Sequence, residues 1–124
     1  MSPTQFIGVC LITHDVPRLR QFYEQVLQVK GEGDENHVDL SAQGAIFTLF
    51  SWQGMEEMAP GSMGGAGMGS VILEFQVANV DDEAQRLEGL GVPLVKPPLS
   101  YSWGSRSAWF RDPDGNIFNL YSVI

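Results

Sequence analysis

Apolar and polar positions in the first part of the chain predict a strand, a helix and then three strands. Residues 6–13 form a nearly continuous apolar run of strand length. Over residues 16–27 apolar side chains recur at helical spacing, which indicates an amphipathic helix that begins after Asp15 as its N-cap. Three strands should follow it, the first short and exposed: residues near 31–33, 37–40 and 45–52.

The same order of elements returns in the second part of the chain. Residues 71–77 predict a strand, and a helix over residues 80–90 should follow with Asn79 as its N-cap. A shift of 64 positions takes Asp15 onto Asn79, so the strand, cap and helix occur twice. Three strand-like runs complete the second copy: 92–95, 105–110 and 117–123.

The repeat predicts an α+β fold of two tandem βαβββ modules. One module is too small to bury both faces of its sheet, so two modules should pack together or with another chain. We expect a single domain over residues 1–124, with module 1 at about 5–52 and module 2 at about 70–124. The segment 53–69 has no periodicity and contains four of the five methionines, so it should be a mobile linker or lid. Its methionines could instead contact an apolar ligand.

A turn at residues 112–116 leads into the last predicted strand. Its proline presets one backbone angle, its aspartates can accept from nearby amides, and its glycine tolerates positive φ. Alternation in the strand then places Asn119 and Tyr121 on the face opposite Phe118 and Leu120. The polar face of this strand is therefore a candidate wall for a site.

Charge and composition narrow the classes of function. Fifteen acidic residues against seven basic ones give a net charge of −8, which disfavours nucleic acid as a partner. No run approaches the ~20 apolar residues that span a membrane, and no secretory signal pattern is present. Cys10 is the only cysteine, so no internal disulfide is expected. We expect a cytoplasmic protein with no membrane or nucleic-acid partner.

Three segments carry a resemblance to a known family: FYEQVL at 22–27, LGV at 90–92 and WFRDPDGN at 109–116. With the repeat, the chain resembles the vicinal oxygen chelate superfamily, also called the glyoxalase/bleomycin resistance/dioxygenase superfamily. The resemblance covers nearly the whole chain. It implies two modules whose curled, mainly antiparallel sheets enclose a ligand cavity, and it implies a homodimer.

Enzymes of that family hold a divalent metal with His, Glu or Gln side chains from four strands. The corresponding positions here are Gly8, Phe47, Ile72 and Asn119, with a register uncertainty of about one residue at Phe47. None of the four is a competent ligand for a transition metal. His14 and His37 should be solvated surface residues rather than ligands. We therefore expect no metal and no other cofactor, and Gly8 should leave space in the cavity.

Other side chains are candidates for ligand binding. Glu74 interrupts an apolar strand and either binds a cation or lies at a cavity rim or dimer edge. Residues 97–104 form a loop by composition, and in the family pattern this loop borders the cavity. Trp103 in this loop either forms a wall of the ligand cavity or packs against the protein. Trp109 lies in a predicted strand, a position that favours core packing over ligand binding. The expected ligand-binding set is Trp103, Trp109, Glu74, Asn119, Tyr121, Phe47 and Tyr101.

Three functions remain open. The first is a metal-independent small-molecule binding protein, similar to the bleomycin-resistance branch, which sequesters an aromatic or cationic compound as a homodimer without catalysing a reaction. The second is a divergent lyase, isomerase or extradiol-type dioxygenase with a displaced metal. The third is a regulatory or structural dimer whose cavity is vestigial.

Overall fold

The structure is a computed structural model that describes residues 3, 5–66 and 71–124. The chain divides into two compact units, Met1–Ala66 and Gly67–Ile124. Each unit contains a four-stranded mixed sheet and repeats the order βαβββ, so the predicted α+β fold of two repeated modules is confirmed. Among the described residues, no helix is both long and apolar enough to cross a membrane.

The first unit contains four strands and two helices in its described part. They are β1 Gly8–Thr13, α1 Val16–Leu27, β2 Glu32–Gly33, β3 His37–Asp39, β4 Ile46–Ser51 and α2 Trp52–Met58. The strand order is β1-β4-β3-β2, with β1 parallel to β4 and the other two pairs antiparallel. Helix α1 has the predicted bounds. It begins at Val16 because Asp15 accepts a hydrogen bond from the Arg18 amide and Pro17 lies in the first turn.

The core of the first unit lies between α1 and one face of its sheet. Helix α1 buries Leu19 and Tyr23 at helical spacing. The ring of Tyr23 meets the ring of Phe47 edge to face, with centroids 5.0 Å apart. Leu49 is two positions further along β4 and is also buried, so the odd-numbered residues of β4 face the helix.

Helix α2 corrects the prediction of a mobile linker or lid over 53–69 for residues 53–58, which are helical. Its N-cap Ser51 accepts from the Gly54 amide at 2.9 Å, which satisfies one of the free amides of the first turn. Gly54 is buried against the Phe50 ring, where a Cβ would overlap the ring. The helix is short, so its seven residues give little periodicity to detect. Residues 67–70 lie outside the described part of the chain.

The second unit contains four strands and one helix in its described part. They are β5 Ile72–Gln76, α3 Val80–Gly89, β6 Leu94–Tyr101, β7 Ser105–Arg111 and β8 Ile117–Val123. The strand order is β5-β8-β7-β6, with β5 parallel to β8 and the other two pairs antiparallel. Asn79 caps α3 by accepting from the Asp82 amide at 3.1 Å, as the sequence predicts.

The core of the second unit lies between α3 and one face of its sheet. Buried residues of β8 and β7 include Phe118, Leu120 and Phe110, and the rings of Phe110 and Phe118 stack with centroids 5.6 Å apart. Helix α3 contributes Val80 and Leu87. Because side chains alternate along a strand, the opposite face of the same sheet carries Asn119 and Tyr121.

Strand β6 corrects the prediction that residues 97–104 form a loop. The strand continues through Pro97 and Pro98 to Tyr101, and the turn occupies residues 102–104. Prolines cannot donate to a sheet, but β6 is an edge strand and carries register shifts on both sides of Lys96. Neither proline is registered with a residue of β7, so the strand continues past both of them without needing their amide donors.

The turn before β8 is held by one carboxylate. Asp112 is 4% exposed. Its Oδ1 accepts from the amides of Asp114 and Asn116, both at 2.9 Å, and its Oδ2 accepts from Asn116 Nδ2 at 2.9 Å. Arg111 donates to the carbonyl of Gly115 at 2.8 Å, and Gly115 has φ of 85°. This turn fixes where β8 starts and hence which of its side chains face the site.

Candidate functional site

A cleft of about 570 Å³ lies on the face of the second unit's sheet that carries Asn119. Its volume is within the range of small-molecule sites, ~300–1,000 Å³. All of its lining residues belong to this unit: Glu74, Lys96, Tyr101, Trp103, Ser105, Ser107, Trp109, Asn119 and Tyr121.

One row of side chains crosses the whole sheet beneath the cleft. Glu74 on β5 is registered with Asn119 on β8, Asn119 with Trp109 on β7, and Trp109 with Lys96 on β6. Registered neighbours share a face of the sheet. The row therefore has a carboxylate at one end and an ammonium at the other, with an amide and an indole between them.

Aromatic rings form much of the cleft wall. The rings of Tyr101 and Trp103 are stacked, with centroids 4.6 Å apart and planes 11° apart. Trp103 lies in the turn between β6 and β7 and is 75% exposed. Trp109 lies half-buried in the middle of the sheet. An indole left this exposed beside a cleft offers a flat surface on which a planar compound can stack.

Lys96 supplies the positive charge of the cleft. Its Nζ donates to Tyr101 Oη at 2.8 Å, to Ser107 Oγ at 2.9 Å and to the Ser107 carbonyl at 3.1 Å. The same nitrogen lies 4.6 Å from the centroid of the Tyr101 ring and 5.2 Å from that of Trp109. Within the part of the chain that the structure describes, no carboxylate forms an ion pair with it.

The other end of the row carries acceptors. Asn119 Oδ1 is buried, and no described residue donates a hydrogen bond to it. A buried carbonyl oxygen without a donor costs about 1–3 kcal/mol, and a ligand that donates to it removes this cost. Glu74 is exposed next to it on β5. Acceptors thus face the cleft at the β5 and β8 side.

Six of the seven predicted ligand-binding residues line this cleft: Trp103, Trp109, Glu74, Asn119, Tyr121 and Tyr101. The structure adds Lys96, Ser105 and Ser107, which the sequence did not suggest. The sequence does carry a signal for Lys96, which lies two positions after Leu94 and directly follows the predicted strand 92–95. The two prolines after Lys96, however, predict that the strand has already ended.

Phe47 corrects the predicted site. It is 7% exposed and packs on Tyr23 of α1, in the core of the first unit. Thr48, one position on, is registered with Cys10 and lies on the opposite face of the sheet. Phe47 therefore faces the core, and Thr48 is a β4 residue within the stated one-residue uncertainty that shares a face of the sheet with Cys10. A threonine is no better as a transition-metal ligand.

The side chains at the family's metal-binding positions do not fit a metal. A Cβ built on Gly8 would overlap the carbonyl oxygen of Ile46 on the paired strand. Gly8 therefore marks a close approach of two backbones, and the expectation that it leaves space in a cavity is wrong. Ile72 has no donor atom, and Asn119 offers one amide. Among the described residues, no group of three or more His, Cys, Asp or Glu side chains could hold a metal ion.

The two histidines are both exposed, as predicted. The His14 ring stacks on Trp52 with centroids 4.3 Å apart. It lines a separate cleft of about 490 Å³ in the first unit, together with polar side chains such as Glu35 and Asn36. His37 meets the Phe50 ring edge to face at 6.0 Å.

Arg106, near the cleft on β7, is held in an ion pair. It donates to both carboxylate oxygens of Asp81 on α3, at 2.7 and 2.8 Å. The hydrogen bond from Arg106 lowers the pKa of the Asp81 carboxyl below its ordinary value, and the same bond raises the pKa of the guanidinium. Arg106 therefore joins α3 to the sheet.

Comparison with known proteins identifies the family. The sequence model of the glyoxalase/bleomycin resistance protein/dioxygenase superfamily matches residues 5–120. The chain belongs to this superfamily, and the resemblance found in the turn and in the repeat is confirmed. Membership fixes the fold and leaves the function to the residues of the site.

Relatives and solved structures agree with that assignment. An uncharacterised protein of Bacillus subtilis (strain 168), YraH, is 26% identical over 127 aligned positions, which cover 97% of this chain and 99% of YraH. A glyoxalase/bleomycin resistance protein/dioxygenase from Nocardioides superposes with a TM-score of 0.81 at 22% identity, over 100% of this chain and 86% of that one. A family enzyme from Burkholderia phytofirmans PsJN gives a TM-score of 0.84 at 20% identity, over 94% and 97%. At these identities the two structures show a shared fold alone.

Proposed function

We propose that this protein is a metal-independent binding protein that sequesters an aromatic or cationic small molecule in the cleft of its second unit. The observation that carries the proposal is the stacked pair of Tyr101 and Trp103 in the cleft lining, with Trp103 75% exposed. An aromatic surface of this kind costs free energy in water, and a planar ligand removes it from water.

Two further features support binding rather than catalysis. The family's metal-binding positions carry side chains that do not suit a metal. In addition, Glu74 is the one carboxylate among the described residues that line the cleft, and the hydroxyls of Tyr101 and Ser107 accept hydrogen bonds from Lys96 rather than donate to a general base. The cleft side chains are suited to stacking, hydrogen bonding and charge pairing.

The proposal is tested by calorimetric titration with 2-naphthylmethylamine, a planar aromatic cation. Trp103→Ala should weaken binding by about 3- to 10-fold, because an aromatic contact contributes about 0.5–1.5 kcal/mol. Trp52→Ala is the matched control, since this tryptophan lies in the first unit against His14. Equal affinity in the wild type and in Trp103→Ala, or an effect of Trp52→Ala alone, would exclude the proposed cleft.

We also propose that the protein is a homodimer. Edge strand β6 exposes the apolar side chains of Leu94, Val95 and Leu99, which a second copy could cover. Sedimentation velocity should give a particle of twice the chain mass of 13.7 kDa. Leu99→Lys should shift the distribution toward the monomer, and a monomeric wild type at micromolar concentration would refute this part.

A further inference from the structure

Resting on the proposed function, we infer that the cleft selects a two-ended aromatic ligand. The Lys96 end binds an acidic group of the ligand, such as a carboxylate or phenolate oxygen. The Asn119 and Glu74 end binds a hydrogen-bond donor or an ammonium group. The ligand class is thus an aromatic compound with an acid and an amine at opposite ends.

The arrangement around Lys96 carries the first half of the inference. The three hydrogens of its ammonium group are matched by three neutral acceptors, namely Tyr101 Oη, Ser107 Oγ and the Ser107 carbonyl. No described carboxylate balances its charge. A half-buried cation that has only neutral partners is stabilised by an anion that enters the cleft beside it.

The two hydroxyl groups give that anion its contacts. Each hydroxyl oxygen accepts from the ammonium, so its own hydrogen points away and needs an acceptor. Among the described residues, neither Tyr101 nor Ser107 donates its hydroxyl hydrogen to a protein acceptor. Both residues line the cleft. A hydroxyl polarised by a neighbouring ammonium is a strong donor to a carboxylate or phenolate oxygen.

The opposite end has the complementary chemistry. Asn119 Oδ1 is buried without a donor among the described residues, and the exposed carboxylate of Glu74 lies on the neighbouring strand in the same row. An amine or ammonium can satisfy both acceptors. A carboxylate of the ligand at this end would face two oxygen atoms and be repelled.

The row sets the length of the ligand. Strands in a sheet are about 4.8 Å apart, so three intervals put the Cα atoms of Glu74 and Lys96 about 14 Å apart. Both side chains extend into the cleft and shorten the gap between the charges. A fused two-ring aromatic with a substituent at each end spans the remaining distance, with Trp109 beneath its middle.

Four probes with one aromatic core test the inference by calorimetry at pH 7. They are 6-(aminomethyl)-2-naphthoate, 2-naphthoate, 2-naphthylmethylamine and the neutral 2-naphthylmethanol. Each charged group should raise affinity over the neutral probe by about 5- to 10-fold, and the two-ended probe should bind most tightly. The neutral probe reports whether the cleft is intact in every variant.

Three variants assign each preference to its end of the cleft. Tyr101→Phe and Lys96→Met should abolish the preference for 2-naphthoate over 2-naphthylmethanol and leave the preference for the amine. Glu74→Gln should abolish the preference for 2-naphthylmethylamine over 2-naphthylmethanol and leave the preference for 2-naphthoate. Lys30→Met and Glu88→Gln, both at exposed positions outside the cleft, are the matched controls and should change neither ratio.

The outcomes separate this inference from the proposed function. If all four probes bind equally, or if Tyr101→Phe leaves the carboxylate preference unchanged, the two-ended inference is overturned and the aromatic cleft stands. If none of the four probes binds, or if their binding is independent of Trp103, the proposed function fails and the inference with it.

Discussion

Lys96 Nζ and Tyr101 Oη are 2.8 Å apart on one face of strand β6, although five positions separate the two residues. In a regular strand an odd separation places two side chains on opposite faces. The register with β7 slips by one residue between Lys96 and Leu99, across Pro97 and Pro98, and this bulge brings Tyr101 back to the face of Lys96. The two prolines thus help to assemble the cleft.

The hydrogen bond between Lys96 and Tyr101 should contribute measurably to the free energy of unfolding. Tyr101→Phe removes one of three acceptors of a half-buried ammonium and should lower the free energy of unfolding by about 1–2 kcal/mol. Tyr121→Phe is the matched control, because Tyr121 lines the same cleft and no described residue bonds to its hydroxyl. It should change stability by less than about 0.5 kcal/mol in urea unfolding. Equal effects of the two variants would contradict the role given to the Lys96 contact.

Alanine substitutions at two glycines should change the stability of the protein in opposite directions. In Gly8→Ala the new methyl group meets the backbone carbonyl of Ile46, which can move only with the strand, so unfolding should become easier by about 1–3 kcal/mol. Gly89 lies in α3 with open space around it, so Gly89→Ala should stabilise by up to about 1 kcal/mol. Thermal unfolding of both variants compares them directly. A tolerated Gly8→Ala would mean that the two strands do not approach as described.

A pH dependence should follow from Glu24. The amide of Gly31 donates to its carboxylate at 2.8 Å and, with Arg20, lowers the pKa of Glu24 below its ordinary value. A lowered pKa in the folded state contributes stability that is present above the unfolded pKa of about 4.3 and is lost as the pH falls through the folded value.

Glu24→Gln should therefore destabilise the protein at pH 7, by less than about 1 kcal/mol for a partly exposed pair, and the difference should fade in acid below pH ~4. Glu88→Gln, at an exposed helix position, is the control. Urea unfolding at several pH values gives the comparison. A difference between Glu24→Gln and wild type that grows on acidification would reverse the sign and refute the assignment.

Neither the stability of the protein nor its affinity for an aromatic ligand should depend on a metal ion. Gly8, Ile72 and Asn119 do not suit a transition metal, and neither Phe47 nor its neighbour Thr48 supplies a better ligand. Protein purified without chelator should therefore contain far less than one transition-metal ion per chain by mass spectrometry. Treatment with EDTA should leave the thermal midpoint and the affinity for 2-naphthylmethylamine unchanged. A stoichiometric metal whose removal lowers either quantity would favour the divergent enzyme with a displaced metal.

The repeat and the last strand could be predicted from the sequence because their patterns were strong. Helix α1 follows a clean helical period, and β8 alternates between polar and apolar residues behind a distinctive turn. Alternation in β8 placed Asn119 and Tyr121 on one face, and the cleft is found on that face, with Glu74 registered opposite Asn119.

The missed features had no such pattern. Strand β4 carries apolar side chains on both faces, including Ile46 and Phe47, so hydrophobicity does not fix which face is the core. Lys96 was missed because its place depends on a bulge in an edge strand, which no local period encodes. Helix α2 is short and depends on the cap at Ser51 and on the packing of Gly54 against Phe50.

The assignment of the second unit's cleft as the ligand site is tested most directly by the side-chain indole signals in a ¹H–¹⁵N NMR spectrum. The chain has three tryptophans, of which Trp103 and Trp109 line the cleft and Trp52 lies in the first unit. Titration with 2-naphthylmethylamine should shift the signals of Trp103 and Trp109 and leave that of Trp52 in place. A shift of Trp52 alone, or no shift at saturating probe, would contradict the claim.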